Sequence, residues 1–319
     1  MKDIKNLEGV EIFLWYKCNY KCTFCFENKI RGLEKWYLER DIYFLIKEWY
    51  KNWKRFILFS WWEPTLDINL VKYIKYSKKI GYIKILIHTN WTKTSDFFYL
   101  KELFNNGLNW IILSFHWFWE ISNLVTKNNK SFYYLNKSLI NVSKIRRINN
   151  SFTIDTNTVI NKINYKNLLI LFKYFSKFPI IRRMITFPYS MFNFTDLELN
   201  RIFPNIELLV VEINKILDYC IKKNINDVVV EAIPYCFFEK KYWRFIEKNF
   251  RSSKKVYIPE DNNLKILKNY HDIDLQHYTW WKIKFKDCKK CVKNDICLGI
   301  SEDYLKVDKK INLYPILKK

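Results

Sequence analysis

The chain has 319 residues, with 55 Lys or Arg against 32 Asp or Glu, which gives a formal net charge of +23 at pH 7. Hydrophobic residues make up 49% of it, enough to bury a sizeable core in one large domain or in one domain with an appendage. No run of about 18 uncharged apolar residues is present, and the first residues lack the apolar region of a secretory signal. We therefore expect a cytoplasmic protein with no membrane span.

The amino-acid usage is unusual, because there are only 5 Gly but 13 Trp. Ala, Pro and Arg, whose codons are GC-rich, are also scarce, whereas Lys, Asn and Ile are abundant, which indicates an AT-rich gene. Codon usage accounts for much of the positive charge, so a nucleic-acid partner is possible but not favoured. Tryptophan does not follow this trend, since its standard codon is not AT-rich.

Short apolar runs typical of strands alternate along the chain with amphipathic stretches that have helical spacing. The predicted strands are residues 10–15, 55–60, 83–89, 110–115, 152–160, 180–187 and 228–233. The predicted helices are residues 37–50, 68–79, 97–106, 132–145, 166–175 and 206–223.

Repeated alternation of strand and helix predicts a parallel sheet, and we expect an α/β fold built as a partial (β/α)6 TIM-like barrel over residues 1–233. The alternation ends near Pro234. Residues 234–319 are loop-rich and charged and contain four cysteines, which predicts a small cysteine-rich C-terminal extension. Ligand sites in such sheets lie at the carboxyl ends of the strands.

Six of the eight cysteines fall into two tight groups, one near each end of the chain. A disulfide framework in a chain of this length would be scattered, and no export signal is present, so we expect reduced thiols that bind metal. Cys220 lies in a predicted helix and is interpreted as a buried apolar thiol.

The first group is Cys18-Asn-Tyr-Lys-Cys22-Thr-Phe-Cys25, directly after the first predicted strand. Three thiolates cannot complete a tetrahedral zinc site, whereas they can hold three irons of a [4Fe-4S] cluster and leave the fourth open to another ligand. The alternative is a zinc knuckle completed by a distant His or Cys. This CxxxCxxC pattern, with Phe24 before the last cysteine, resembles the radical S-adenosylmethionine (SAM) superfamily.

The resemblance continues after the second, third and fourth strands, where the superfamily has Gly-Gly-Glu-Pro and often Thr-Asn-Gly and Ser-x-His-Gly. This chain has Ser60-Trp61-Trp62-Glu63-Pro64, Thr89-Asn90-Trp91 and Ser114-Phe115-His116-Trp117. The other residues of these motifs match, but tryptophan stands in place of each of the four glycines. We hypothesise that UGA codons, which specify glycine in some bacterial lineages, are written here as tryptophan. The alternative is a diverged protein whose real tryptophans block the SAM site.

The resemblance implies a role for each matching residue. Cys18, Cys22 and Cys25 would bind the cluster, Phe24 would line the adenine or cluster side of the pocket, and Glu63 would pair with the SAM amino group beside positions 61 and 62. The other candidate contacts to SAM or substrate are Asn90 and Ser114, with weaker candidates in Thr89, Thr156 and Asn157. His116 and Glu120 form a possible proton-transfer pair, although a pocket-lining role is favoured for His116.

The second cysteine group is Cys288-Lys-Lys-Cys291 followed by Cys297, with Cys236 as a possible fourth ligand. This arrangement resembles the twitch extension of radical SAM enzymes, an abbreviated relative of the SPASM domain, and implies a second [4Fe-4S] cluster. A structural zinc site with four cysteine ligands is the alternative.

The activity implied by the resemblance is reductive cleavage of SAM to a 5′-deoxyadenosyl radical, which abstracts hydrogen from a peptide or small-molecule substrate. An electron donor such as flavodoxin or ferredoxin would be needed. The alternatives are an RNA-modifying radical SAM enzyme, suggested by the charge, and a metal-stabilised binding protein without activity if the motif tryptophans are real.

Overall fold

The computed structural model describes residues 9–14, 17–25, 39–60, 62–188, 194–247, 254–257, 282–311 and 313–317. Its strands are β1 (Gly9–Phe13), β2 (Phe56–Ser60), β3 (Lys84–Thr89), β4 (Trp110–Ser114), β5 (Thr153–Val159), β6 (Arg182–Thr186), β7 (Val228–Glu231), β8 (Lys254–Tyr257), β9 (Lys282–Ile283) and β10 (Ile300–Ser301). Its α-helices are α1 (Glu39–Lys51), α2 (Leu70–Ile80), α3 (Phe97–Asn106), α4 (Trp119–Thr126), α5 (Ser131–Ile148), α6 (Leu168–Phe175), α7 (Asp196–Ile202), α8 (Ile206–Lys222) and α9 (Glu302–Val307). No helix in these ranges is long and apolar enough to cross a bilayer.

Strands β1 to β8 form one sheet in the order β7-β6-β5-β4-β3-β2-β1-β8, and all neighbouring strands in it are parallel. Strands β1 to β7 are neighbours in sequence order, with helices between them, and curl into an open half-barrel. Each of the seven predicted strand runs overlaps one of these strands, so the prediction of an α/β partial barrel is confirmed.

Strand β8 was not predicted, because it lies in the region interpreted as a loop-rich extension. It pairs with β1, Val10 facing Lys255 in the register, and so satisfies backbone groups along an edge that would otherwise be open. Farther along, the Tyr304 hydroxyl accepts a hydrogen bond of 2.9 Å from the Ile206 N–H at the start of α8. These contacts tie the C-terminal part of the chain to the barrel, and a domain boundary at residue 233 stays a prediction.

Alternation along the strands separates two apolar layers, since successive side chains point to opposite faces. The outward residues of β2, β3 and β4 pack under the helices in the main core, among them Ile57, Ile87 and Leu113. The inward residues Leu58, Leu86 and Ile112 form a separate cluster, with Phe56, Trp110 and Met184 packed against it. This second cluster fills the lower lumen of the half-barrel, below the carboxyl ends of these strands.

Glycines end two of the helices that flank the sheet. Gly81 follows α2 with φ +109°, and Gly107 follows α3 with φ +126°. The Gly81 N–H donates to Lys78 O, and the next N–H, of Tyr82, donates back to Ser77 O. The same pair of bonds occurs at Gly107. Both are Schellman ends, in which the residue after the helix takes a left-handed conformation that glycine adopts without strain.

Candidate functional site

A cavity of about 250 Å³ opens at the carboxyl ends of the strands. It is lined by the first cysteine loop on one side and by residues at the ends of β1 to β6 on the other. The predicted site residues on its wall are Cys18, Cys22, Phe24, Cys25, Trp62, Thr89, Asn90, Ser114, His116 and Asn157. The structure thus brings together residues that the sequence places up to about 140 positions apart.

The cysteine loop is fixed by backbone hydrogen bonds to the end of α4. The Thr23 N–H donates to Val125 O at 2.8 Å, and the Lys21 N–H donates to Thr126 O at 3.1 Å. Cys18, Cys22 and Cys25 are all half-buried cysteines on the same cavity wall. The loop therefore presents three sulfur atoms to one space.

The surroundings of Cys18 suit a metal-bound thiolate. The Tyr20 N–H points to its sulfur at 3.4 Å, and the Asn90 side-chain amide lies 3.5 Å from it. Asn90 also donates to the Asn19 side-chain oxygen at 2.6 Å, which joins the end of β3 to the loop. Hydrogen bonds to cluster sulfurs are one of the means by which proteins set cluster properties. The donor set, three thiols with N–H groups directed at sulfur, fits a [4Fe-4S] cluster.

Glu63 lies at the turn after β2, in the segment that matches the family motif. It is fully buried and does not line the cavity. Its carboxylate accepts hydrogen bonds from both Thr65 N–H and hydroxyl, from the Thr89 hydroxyl at 2.6 Å and from the Asn90 N–H. Burial raises the pKa of this carboxyl above its ordinary value, although the hydrogen bonds act in the opposite direction. Here Glu63 anchors the end of β3 to the turn after β2, and its role toward the SAM amine stays a prediction.

The four motif tryptophans differ in their surroundings. Trp62 lines the cavity with φ +45°, and Trp91 is buried with φ +78°. The Trp91 indole N–H donates to Ser114 O. Trp117 is also buried. Trp61 lies outside the described residues. Two of the three that are described thus have a left-handed backbone, which is a genuine outlier for a bulky side chain.

His116 lies on the cavity wall, and its ring meets that of Phe24. It is buried, and this burial lowers the pKa of His116 to about 3. The neighbouring His88 lowers it in the same direction to a smaller extent. Its Nδ1 accepts a 3.3 Å hydrogen bond from the Val159 N–H, as a neutral imidazole does. Glu120 is exposed on α4. The structure therefore gives His116 a pocket-lining position and leaves Glu120 on the surface.

Other candidates divide between the cavity and the core. The Ser114 hydroxyl lies 3.0 Å from His88 Nε2. Asn157 faces the cavity, whereas its neighbour Thr156 is fully buried and does not line it. The alternation of β5 separates the two, because only one of two adjacent strand residues points inward.

Sequence reasoning missed a set of polar residues that face the lumen. They are Glu11, Ser60, His88, Thr186 and Glu231. The Ser60 hydroxyl donates to the Glu11 carboxylate. The Thr186 hydroxyl donates to the Glu231 carboxylate at 2.7 Å and lies 2.9 Å from the Asn157 amide oxygen. A signal was present for Glu11, Ser60 and Glu231, since each is the one polar residue of an otherwise apolar strand.

The second cysteine group forms another small cavity. Cys236, Cys288, Cys291 and Cys297 line it together with Lys284 and Gly299. Burial raises the pKa of Cys236 to about 12, and the nearby Cys297 contributes to this rise. The N–H groups of Lys293 and Ile316 point to the Cys291 sulfur at 3.4 and 3.3 Å. The four predicted auxiliary cysteines are thus gathered in one place, whereas Cys220 is buried in α8 away from them.

Within the described ranges, no three His, Cys, Asp or Glu side chains are grouped so as to hold a single metal ion. A [4Fe-4S] cluster makes a different demand, because each thiolate binds a different iron and the sulfurs need not converge on one point.

Residues 12–175 match the model of the Radical SAM superfamily, a segment that holds the cysteine loop and the strands from β2 to β5. The chain belongs to the radical SAM superfamily. Membership implies a [4Fe-4S] cluster and SAM as its cofactors.

Two curated relatives share part of this region. An S-adenosylmethionine-dependent nucleotide dehydratase of Lacinutrix mariniflava is 32% identical over 183 residues, which cover 53% of this chain and 36% of the relative. A probable GTP 3′,8-cyclase of Saccharolobus islandicus is 30% identical over 113 residues, 35% of this chain and 36% of the relative. The matched regions span about a third of the length of these relatives.

Solved structures resemble nearly the whole chain in fold. SuiB of Streptococcus suis, bound to its precursor peptide SuiA, matches with a TM-score of 0.63 and 14% identity, covering 98% of this chain and 75% of SuiB. The enzyme anSMEcpe with bound AdoMet matches with a TM-score of 0.62 and 15% identity, covering 97% of this chain and 93% of that one.

Proposed function

We propose that the chain is a radical SAM enzyme that reductively cleaves SAM and abstracts hydrogen from a peptide or small-molecule substrate. The observation that carries this proposal is the meeting of the three thiols of the CxxxCxxC loop with the polar ends of the strands around one cavity. A [4Fe-4S] cluster held there would supply the electron that breaks the SAM sulfonium bond.

The protein's own residues would hold and shield this chemistry. Cys18, Cys22 and Cys25 would bind the cluster, and Asn90 would keep the Cys18 sulfur hydrogen-bonded at 3.5 Å. Phe24 and His116 close one side of the cavity with an apolar wall. Such a wall excludes water, which is what a reactive intermediate requires.

Glycine at positions 61, 62, 91 and 117 is part of the proposal. With tryptophan at 62, an indole stands on the wall where the family motif has a glycine next to the cofactor. The left-handed φ values at 62 and 91 support glycine, because this region costs other residues strain. With real tryptophans, the chain would instead be a metal-stabilised binding protein.

We also propose a second [4Fe-4S] cluster in a twitch/SPASM-like extension, bound by Cys236, Cys288, Cys291 and Cys297. Their common cavity and the N–H groups directed at sulfur support a cluster. A flavodoxin or ferredoxin would donate electrons. The likeness in fold to SuiB bound to its precursor peptide makes a peptide substrate the first class to test.

The test is anaerobic reconstitution of two forms of the full chain, one with the four motif tryptophans and one, the glycine form, with Trp61→Gly, Trp62→Gly, Trp91→Gly and Trp117→Gly. We expect the glycine form to produce 5′-deoxyadenosine from SAM with dithionite as reductant. Cys22→Ala should abolish this product, whereas Cys220→Ala, at a buried thiol outside both cysteine groups, should not. If neither form cleaves SAM while holding its iron, the proposed activity is wrong.

A further inference from the structure

One polar side chain from each of the strands β1 to β7 forms a layer at the top of the lumen. We call this layer the luminal ring, and its members are Glu11, Ser60, His88, Ser114, Asn157, Thr186 and Glu231. Hydrogen-bond contacts join neighbours around it, at Glu11–Ser60, His88–Ser114, Asn157–Thr186 and Thr186–Glu231. All members except Glu231 line the cavity that the three thiols share.

The luminal ring is the floor of this cavity. Directly below it lie Leu58, Leu86 and Ile112, which close the lower lumen with apolar side chains. A molecule that enters between the cysteine loop and the strands therefore meets the luminal ring as the deepest polar surface. The hydrogen-bonding groups and the charge of the luminal ring therefore determine which substrate groups can bind there.

The charge of this floor is opposite to that of the protein. The chain carries a net charge of +23, yet the described residues that line the cavity include no Lys or Arg. The luminal ring itself has two carboxylates, Glu11 and Glu231. The luminal cation Arg182, two positions below Met184 on β6, is engaged by Asp155 at 2.9 Å.

These features select the chemistry of the ligand. Phosphates and carboxylates are bound by Arg, Lys or helix N-termini, whereas carboxylates bind ammonium groups through short charge-assisted hydrogen bonds. Hydroxyl and amide neighbours, as in Ser60 and Asn157, add further oxygen acceptors around such a group. A site of this composition favours a protonated amine and disfavours a nucleoside triphosphate.

We infer that the luminal ring binds a primary ammonium group of the substrate, such as that of a lysine-type side chain in a peptide. The inference rests on the proposed function, since the luminal ring is the floor of the same cavity. Glu11 is the principal partner of the ammonium, because it lines the cavity directly, and Glu231 supports the luminal ring from the other end through Thr186.

Binding of small probes to the reconstituted glycine form tests this inference by isothermal titration. The probes are N-acetyl-lysine N-methylamide, the norleucine analogue of similar length without the charge, and GTP. We expect the lysine probe to bind at least about ten-fold more tightly than the norleucine probe, the ratio that one charge-assisted hydrogen bond provides. Glu11→Gln should remove this difference. Glu102→Gln, at an exposed position of α3, should leave it unchanged.

Equal binding of the lysine probe and the norleucine probe would overturn the inference, and so would tighter binding of GTP than of the lysine probe. If Glu11→Gln does not fold, the comparison of the lysine and norleucine probes on the glycine form, with Glu11 unchanged, decides the inference. Formation of 5′-deoxyadenosine without any probe is measured on the same preparation. Loss of that product contradicts the proposed activity, whereas loss of probe discrimination contradicts only the ammonium site.

A second inference rests on the backbone rather than on the cavity. Among the described residues, eight that are not glycine have a positive φ, and four of them are tryptophans. Two of the four, Trp62 and Trp91, belong to the family motifs. The other two, Trp53 with φ +61° and Trp119 with φ +41°, lie outside any motif.

Trp53 has the surroundings of a helix-ending glycine. Its N–H donates to Tyr50 O, and the next N–H, of Lys54, donates to Trp49 O. Gly81 and Gly107 have the same pair of bonds at the ends of α2 and α3. The Trp53 side chain is 79% exposed and that of Trp119 is 71% exposed, so burial of the indole compensates for the strained backbone at neither position.

Three other described tryptophans make contacts through the indole ring. The Trp110 indole N–H donates to Asp155 at 2.9 Å, and that of Trp243 donates to Phe238 O at 3.0 Å. Trp49 packs against the main core from within α1. None of these three has a positive φ.

We propose that positions 53 and 119 are glycines in the translated protein, encoded by UGA, whereas positions 49, 110 and 243 are tryptophans encoded by UGG. Reading the gene and measuring peptide masses of the protein purified from its own cells test this division. UGA codons with glycine masses at 53 and 119, beside UGG at 49, 110 and 243, are expected. UGG at 53 or 119, or tryptophan masses in those peptides, would overturn it.

Discussion

The rings of Phe24 and His116 meet edge to face, with their centroids 4.6 Å apart and their planes at 72°. This contact joins the cysteine loop to the segment after β4 and keeps His116 buried. Because a neutral ring suits this environment, the pKa of His116 falls to about 3, well below the ordinary value of a histidine.

His116 should make the protein sensitive to mild acid. The folded state keeps His116 neutral, while the unfolded chain binds a proton below about pH 6.5. Stability from this difference is fully present above that pH and is lost as the pH falls toward 3, by about 2 kcal/mol between pH 6.5 and 5. His116→Asn, which retains an acceptor for the Val159 N–H, should flatten this slope. Urea unfolding at pH 7 and pH 5 measures it, and equal slopes in both proteins would contradict the prediction.

Replacing Trp53 with glycine should stabilise the protein. A residue other than glycine in a left-handed conformation costs about 1 to 2 kcal/mol, and the exposed indole returns little of this. Trp49→Gly is the matched control inside α1, the helix that Trp53 follows, where glycine lowers helix propensity by about 1 kcal/mol and also loses packing. Thermal unfolding of both variants should therefore shift in opposite directions. A lower melting temperature for Trp53→Gly would contradict the prediction.

The sequence predicted the features that depend on local pattern. Each of the seven barrel strands overlaps one of the predicted strand runs, which alternate with amphipathic stretches, and the three thiols of the first loop are close in the chain. Strand β8 was missed because Lys254-Lys-Val-Tyr257 is short and half charged, and only pairing with β1 makes it a strand.

The luminal ring was missed for a different reason. Glu11, His88 and Glu231 are polar residues in separate strands, and only the folded half-barrel joins them by hydrogen-bond contacts to the polar residues of neighbouring strands. The hydrogen bonds of Glu63 could not be predicted from the sequence either. A family motif gives its neighbours in the chain, but not the hydrogen bond that its carboxylate accepts from the Thr89 hydroxyl.

Loss of one auxiliary cysteine should remove iron from one site and leave the other. With two [4Fe-4S] clusters the reconstituted chain holds about eight irons, and Cys297→Ala should hold about four. Cys220→Ala is the matched control, because that buried thiol, whose pKa burial raises to about 12, lies outside both groups. Iron and zinc analysis measures the result. One equivalent of zinc that disappears in Cys297→Ala would contradict a second cluster and indicate the four-cysteine zinc site.

The ion pair between Asp155 and Arg182, at the lower end of the lumen, should contribute more to the free energy of unfolding than the ion pairs on the protein surface. Asp155 is fully buried and receives Arg182 Nη2 at 2.9 Å, Arg182 Nε at 3.1 Å and the Trp110 indole at 2.9 Å. Burial, the largest influence, raises the pKa of Asp155, and Arg182 opposes that rise.

Arg182→Leu should therefore cost about 3 kcal/mol, because it leaves a buried carboxylate without its cation. In that variant the pKa of Asp155 should rise further, so the folded state binds a proton that the unfolded chain releases above about pH 4. Stability should then decrease as the pH rises from that value, a slope opposite in sign to that of His116. Lys290→Leu removes an exposed partner of Asp287 and should cost less than about 1 kcal/mol. Denaturant unfolding at several pH values distinguishes the two, and equal costs would mean that solvent reaches Asp155 and replaces the guanidinium.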